Sequence, residues 1–407
     1  MVLSQKKRPS LVLSGGGVKA AAFHIGVCLA LREKGFQFAG GSPSNVIANY
    51  PDEAMTFKTY VGSSAGSIIS TFLASGYAIE DIIEAFIRGT DETGMERFFR
   101  KRKHVGNYRP LKPLTYSDIF GLNIDMGIPK KLLPKFFQKR TVITGGLEAL
   151  LKAGFKVNGL FSMKNIERYL REEVLESNHF SSLGVNLFVI ATQLNHSRKV
   201  IFGDFPELMK DDDIKRAHYA TVSEAVAASA SLPPAFAPYG IKNQKGKTLH
   251  FFDGEIRDTL STHVAADHGS DLVIASYSIQ PYHFNKEIGS LSDYGIPAIF
   301  NQALYQVIEQ KINKHIKHQS DIKNMINAVY GYLKEINLPE EQRDKLMEIL
   351  ITRTDFKSEV DYIYIHPSPQ DYKMFFYDHF SLNPQVLTAI ARTGFRAAMT
   401  KLRKHKV

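Results

Sequence analysis

The stretch Thr59–Gly76, TYVGSSAGSIISTFLASG, restricts the local fold more than any other part of the chain. A short β-branched and aromatic run, Tyr60-Val61, meets Gly62-Ser63-Ser64-Ala65-Gly66, and small and apolar residues then follow at helical spacing to Ser75. Gly76 is suited to cap that helix at its C-terminus. Strand, tight turn and helix together are the setting in which a Gly-x-Ser-x-Gly pattern carries meaning. A side chain two residues to either side of Ser64 would clash in such a reversal, so Gly62 and Gly66 leave the hydroxyl projecting. The first helical turn adds free N–H groups and the positive end of a dipole, which suit a developing oxyanion. Taken alone, the same letters also describe an ordinary Gly/Ser turn.

A second glycine-rich turn stands near the start. Leu11-Val12-Leu13 reads as a buried strand, Gly15-Gly16-Gly17-Val18-Lys19 follows, and apolar spacing predicts a helix from about Val18 to Lys34, ended by Gly35. Consecutive glycines at a strand-to-helix turn expose backbone N–H groups to an anion. Gly15-x-Gly17-x-x-Ala20 also fits a dinucleotide fingerprint, which needs a second strand soon after the helix, ending in an acid for the ribose. The chain gives Gly40-Gly41-Ser42-Pro43 there instead, with no acid in position. An oxyanion loop is therefore the better reading.

Farther along, Asn186–Leu194 reads as a strand buried on both faces, with Lys199–Phe202 as a shorter neighbour and Thr221–Ser231 as an alanine-rich helix stopped by Leu232-Pro233-Pro234. Thr248–Phe252 is a further strand that delivers Asp253-Gly254 at its carboxyl end, where open α/β sheets gather functional groups. From there Asp253 can reach a serine on a neighbouring strand; by itself it reads equally as a turn or cap aspartate. Asp271–Ser276 and Val360–Ile365 read as strands. Phe300, Leu304, Ile308, Ile312 and Ile316 repeat at helical spacing, and a last helix spans about Pro384 to Lys404.

The 407 residues are 44% hydrophobic and 23% charged, ordinary for a soluble globular protein, and the formal net charge of +10 reads as attraction to nucleic acid, as attraction to acidic lipid or as simple solubility. Residues 97–103 and 128–140 are rich in lysine and arginine among phenylalanine and leucine; they read either as a cap on the domain or as a contact with an anionic membrane. The lone Cys28 excludes an internal disulfide framework. No Cys/His cluster suggests a metal, no cofactor is expected, and nucleic acid is not an expected partner. The apolar run Leu11–Leu13 is too short for a signal-peptide core, and none approaches membrane-spanning length. A cytoplasmic or membrane-peripheral location is expected, with export by a route lacking a cleaved signal left open.

Assembled, these pieces resemble the patatin-like phospholipase family. The resemblance rests on Gly15–Lys19, on Gly62–Gly66 and on Asp253-Gly254, supported by Ala228–Pro234 and by Gly159-Leu160-Phe161 opening a helix. It implies a three-layer α/β fold with a mostly parallel central sheet: a catalytic domain over 11–276 carrying a cap-like insertion at 91–171, and a mainly helical C-terminal extension over 277–407. It also implies a lipid acyl hydrolase with a Ser64–Asp253 dyad, a phospholipid or other acyl-lipid substrate, and an oxyanion hole built from Gly15, Gly16, Gly17 and Ala65. Lys19 is expected to support the loop, as Gly62, Gly66 and Gly254 support their turns. Two departures stand out. Ala20 replaces a usual glycine, and Glu255 brings an extra carboxylate where the family carries Gly or Ala, which bears on Asp253 and on substrate preference. The competing readings are an α/β-hydrolase triad of Ser64, Asp253 and His366, and a lipid-binding protein without turnover.

Overall fold

Strands with apolar side chains at every position need cover on both faces, and the chain provides it. The computed structural model describes residues 1–51, 54–87, 111–123, 158–205, 214–257, 259–354 and 356–406. Nine strands form one mainly parallel sheet: β1 Pro9–Leu13, β2 Thr59–Ser63, β3 Asn186–Gln193, β4 Arg198–Phe202, β5 Ile214–Ala217, β6 Tyr239–Lys242, β7 Thr248–Asp253, β8 Leu272–Ser276 and β9 Asp361–Ile365. Their order is β6-β7-β3-β2-β1-β8-β9, with β4 also on β3 and β5 on β4.

Alternate residues of the central strands fall into two separate cores. Leu11, Leu13, Leu187, Val189, Leu272 and Ile274 face one, while Val12, Phe188, Ile190, Val273 and Ala275 face the other. Among the described residues, the helices that supply the cover include α1 Gly17–Glu33, α2 Ala65–Ala74, α3 Val222–Ser229, α4 Thr262–Asp267, α5 Gly295–Glu335 and α6 Pro384–Leu402. The first core takes side chains from α1, α2, α3 and α6, and the second takes them from α4 and α5. The fold is thus three layers, helix on sheet on helix.

Residues beyond 277 complete this architecture. β9 pairs in parallel with β8, and α6 covers α1. Every residue of α1 from Val18 to Leu31 is buried, as befits a helix enclosed between a sheet and a second helix. The contact with α6 is glycine on backbone in both directions: a Cβ at Gly26 would lie 1.9 Å from the Ala391 carbonyl oxygen, and one at Gly394 would lie 2.2 Å from that of Phe23.

Folding overturns one expectation, the helix at Gly159–Phe161, and settles two features that the sequence left open. β7 runs antiparallel to β3. Gly159–Phe161 opens a strand, Phe161–Ser162, paired with Gly121–Leu122, and the helix starts only at Lys164. Gly159 is required by close approach, since a Cβ there would lie 2.2 Å from the Ala237 nitrogen. Along α5, Phe300 and Leu304 are exposed and the inward face begins with the buried Tyr305. The basic stretches 97–103 and 128–140 lie outside the described residues, as does most of the expected 91–171 insertion. No helix among the described residues is long and apolar enough to cross a membrane.

The helix crossing yields a stability test. Gly26→Ala or Gly394→Ala forces α6 off α1, at a cost of about 1–3 kcal/mol or more, because a methyl group cannot relax away from main-chain atoms. Thermal unfolding should show both variants melting several degrees below the parent.

Candidate active site

The elbow forms because β2 ends at Ser63 and α2 begins at Ala65, leaving Ser64 to make the reversal alone. Its backbone sits at φ 52°, ψ −126°, a region costly for a residue with a Cβ. Surrounding contacts hold it there. The Ser64 N–H donates to Ser229 Oγ of α3 at 2.8 Å, and Ser229 Oγ donates to the Ile190 carbonyl of β3 at 2.5 Å. The Ser67 N–H and hydroxyl both donate to the Ser64 carbonyl, at 2.9 and 2.6 Å. Gly62 and Gly66 are needed on steric grounds: a Cβ would lie 2.4 Å from Ser67 Cα at the first and 2.1 Å from the Leu13 carbonyl oxygen at the second. The second figure also puts the elbow against the glycine loop that follows β1.

Asp253 reaches Ser64 through strand pairing. Along one edge of β3, residues 186–190 pair in parallel with β2, the last match being Ser63↔Ile190. The next residue, Ala191, pairs with Asp253, the last residue of antiparallel β7. β4 occupies the opposite edge, pairing with Val189–Gln193. So β2 and β7 share one edge and meet tip to tip, carboxyl end against carboxyl end. Gly254 allows the junction to close, since a Cβ there would lie 2.4 Å from the Ile190 carbonyl oxygen and 2.8 Å from Ser63 Oγ. The Ser64 hydroxyl lies close enough to the Asp253 carboxyl to favour its charged form, and the Glu255 N–H donates to Asp253 Oδ1 at 2.9 Å.

Burial pushes the Asp253 carboxyl up to about 6, against the opposing pull of the Ser64 hydroxyl and the Glu255 amide. Beside Ser64 lies a cavity of about 50 Å³, lined by Val18, Ile68, Phe86, Leu114, Met163, Phe236 and Phe380 among others, apolar enough for an acyl chain. Its volume is well short of the several hundred Å³ of a typical ligand pocket. A larger cavity of about 610 Å³, between α6 and residues 370–377, does not include Ser64.

The glycine loop is held from the C-terminal part of the chain. Lys19 is fully buried, and its Nζ donates to Tyr305 Oη at 2.6 Å and to the Met374 carbonyl at 3.1 Å. Because the Gly16 carbonyl can only accept, the neutral His379 ring donates its Nδ1–H there at 3.2 Å, leaving Nε2 to accept from the Tyr305 hydroxyl at 2.8 Å. Burial and the nearby Lys19 charge lower His379 to about 3, in keeping with a neutral ring. Burial lowers Lys19 to about 7, with Asp378 opposing. His24, fully buried, ties the loop to β8 by hydrogen bonds to the Ser14 carbonyl at 2.9 Å and Ser276 Oγ at 2.8 Å. Tyr305, His379 and His24 carry no sequence signal, whereas Ser229 lies within a stretch already singled out.

Of the expected oxyanion donors, Ala65 heads α2 and lines the cavity with Gly17 and Ser64. Gly16 and Gly17 adopt positive φ, 133° and 69°. The Gly15 N–H donates to Glu255 Oε1 at 3.0 Å. His366 is not brought to this site. It follows β9, which is separated from β2 by β1 and β8, or about 14 Å at strand spacing. Its ring stacks on Tyr277, Nδ1 bonds the Pro367 carbonyl at 2.9 Å, and Nε2 lies 3.4 Å from Lys401 Nζ.

The sequence profile of the patatin-like phospholipase family matches residues 11–266, more than half of the chain. The uncharacterized protein YqhO of Bacillus subtilis (strain 168) is 35% identical over 109 residues, which cover 27% of this chain and only 28% of YqhO. The crystal structure of VipD from Legionella pneumophila aligns with 98% of this chain and 67% of VipD, at a TM-score of 0.41 and 17% identity. The matched residues run from the first strand through the glycine loop and the elbow to beyond Asp253-Gly254, and the chain belongs to the patatin-like phospholipase family.

Proposed function

We propose that this protein is a lipid acyl hydrolase that cleaves carboxylic esters through Ser64 and Asp253. The observation that carries the reading is the tip-to-tip meeting of β2 and β7, which joins a strained serine to a buried carboxylate beside a glycine loop. Ser64 Oγ attacks the ester carbonyl carbon while its proton passes to Asp253. Backbone N–H groups of Gly15, Gly16 and Gly17, with that of Ala65, bind the oxyanion. Collapse breaks the ester C–O bond, and Asp253 returns the proton to the departing alcohol. Water, activated by the same carboxylate, then releases the fatty acid from Ser64. No histidine is needed, because an aspartate raised to about 6 accepts a proton better than an ordinary one. The apolar cavity lining favours a fatty acyl group, and the excess of basic residues favours anionic bilayers as its source.

Purified protein incubated with mixed phospholipids and neutral lipids should release fatty acid detectable by mass spectrometry. Ser64→Ala and Asp253→Asn should each lower kcat/KM by about a thousandfold or more with the fold intact. Vesicle binding with no turnover of any acyl ester would identify a lipid-binding protein instead. His366→Ala should leave kcat/KM unchanged, and a large loss would revive the three-residue arrangement.

The pH profile follows from the direction of the Asp253 shift. The base works ionised, so kcat/KM should be level above about 6 and fall as pH drops through that value. A plateau extending to pH 4 would exclude Asp253 as the titrating base.

A further inference from the structure

Glu255 occupies an unusual position for a carboxylate. It lies in the turn Gly254–Ile256 directly after Asp253, is only 7% exposed, and accepts a hydrogen bond from the Gly15 N–H at 3.0 Å. Its own N–H donates to Asp253 Oδ1. A Cβ placed on Gly15 would lie 2.8 Å from Glu255 Cγ and equally close to Ser64 Cβ, so the glutamate side chain and the nucleophile flank the same glycine. An anionic oxygen on a glycine-loop amide beside the serine has the chemistry of the oxyanion that acyl transfer creates there.

We infer that Glu255 gates the oxyanion loop: its carboxylate holds the Gly15 N–H in the resting protein, and an acyl substrate must displace it. The inference rests on the Ser64–Asp253 reading and adds a determinant of substrate admission. A carboxylate is a stronger acceptor than a neutral ester carbonyl, so the substrate competes for that N–H at a disadvantage. Once the oxyanion forms, a carboxylate left nearby would repel it in a low-dielectric site. The side chain must therefore withdraw before attack, and the gate acts on every ester the cavity accepts.

The test is the rate at which an alkyl fluorophosphonate phosphonylates Ser64, in which Oγ bonds phosphorus, fluoride leaves and Asp253 takes the proton. The phosphoryl oxygen needs the same amides as an ester carbonyl, and no knowledge of the natural lipid is required. Glu255→Ala should raise the second-order labelling rate about ten- to a hundredfold, the range of a hydrogen bond to a charged group. Glu255→Gln, which keeps the shape but removes the charge, should give a smaller rise. Hydrolysis of p-nitrophenyl butyrate should show the gain chiefly as a lower KM. If Glu255→Ala unfolds, Glu255→Gln alone decides. Labelling of the parent with an equal or slower rate in the variants would overturn the gate, because a residue that merely supports the loop can only lose activity on removal. Absence of labelling in all three proteins would overturn the gate and the hydrolase reading together.

Discussion

The edge of β3 between Ile190 and Ala191 is where the rest of the site begins. Two strands arriving from opposite directions end there, one handing its ladder position to the other. A parallel partner over residues 191–193 would have brought its amino end to Ser63 and carried its carboxyl end away. Because backbone hydrogen bonds fix register to the residue, the serine and the carboxylate meet without relying on flexible side chains. Gly254 and Ser229 complete the joint: the first lets the turn pass against the Ile190 carbonyl, and the second links that carbonyl to the Ser64 amide.

That joint holds two unfavourable features. Ser64 has backbone angles that cost free energy in isolation, and Asp253 is a carboxylate almost wholly removed from water. Each feature is confined by structure that has no chemistry of its own. The same confinement raises the proton affinity of Asp253, so the burial that weakens the charged form also suits it to accept a proton from a hydroxyl.

The glycine loop is secured by a different part of the chain. Lys19 and Tyr305, both buried, and the half-buried His379 form a hydrogen-bonded series that ends on the Gly16 carbonyl, and the C-terminal helix lies against α1. Residues beyond 277 thus fix the shape of a loop near the N-terminus. A buried lysine bonded to both Tyr305 and the Met374 carbonyl restricts the loop to one geometry.

The sequence by itself determined the local pieces. Gly62 and Gly66 specified a reversal at Ser64, the run Gly15–Gly17 specified an exposed main chain, and unbroken apolar runs such as Leu187–Ala191 specified strands covered on both faces. These are legible because steric limits and side-chain periodicity act within a few residues. Only the tertiary structure decided that β7 runs antiparallel, that Glu255 turns back onto Gly15, that Tyr305 and His379 brace the loop, and that His366 stands three strands from Ser64. Those outcomes depend on pairings between residues up to several hundred positions apart, for which a single sequence contains no local energetic signal. Asp253 lies between the two cases: its strand could be read directly, but its partner was settled by which edge of β3 that strand joined.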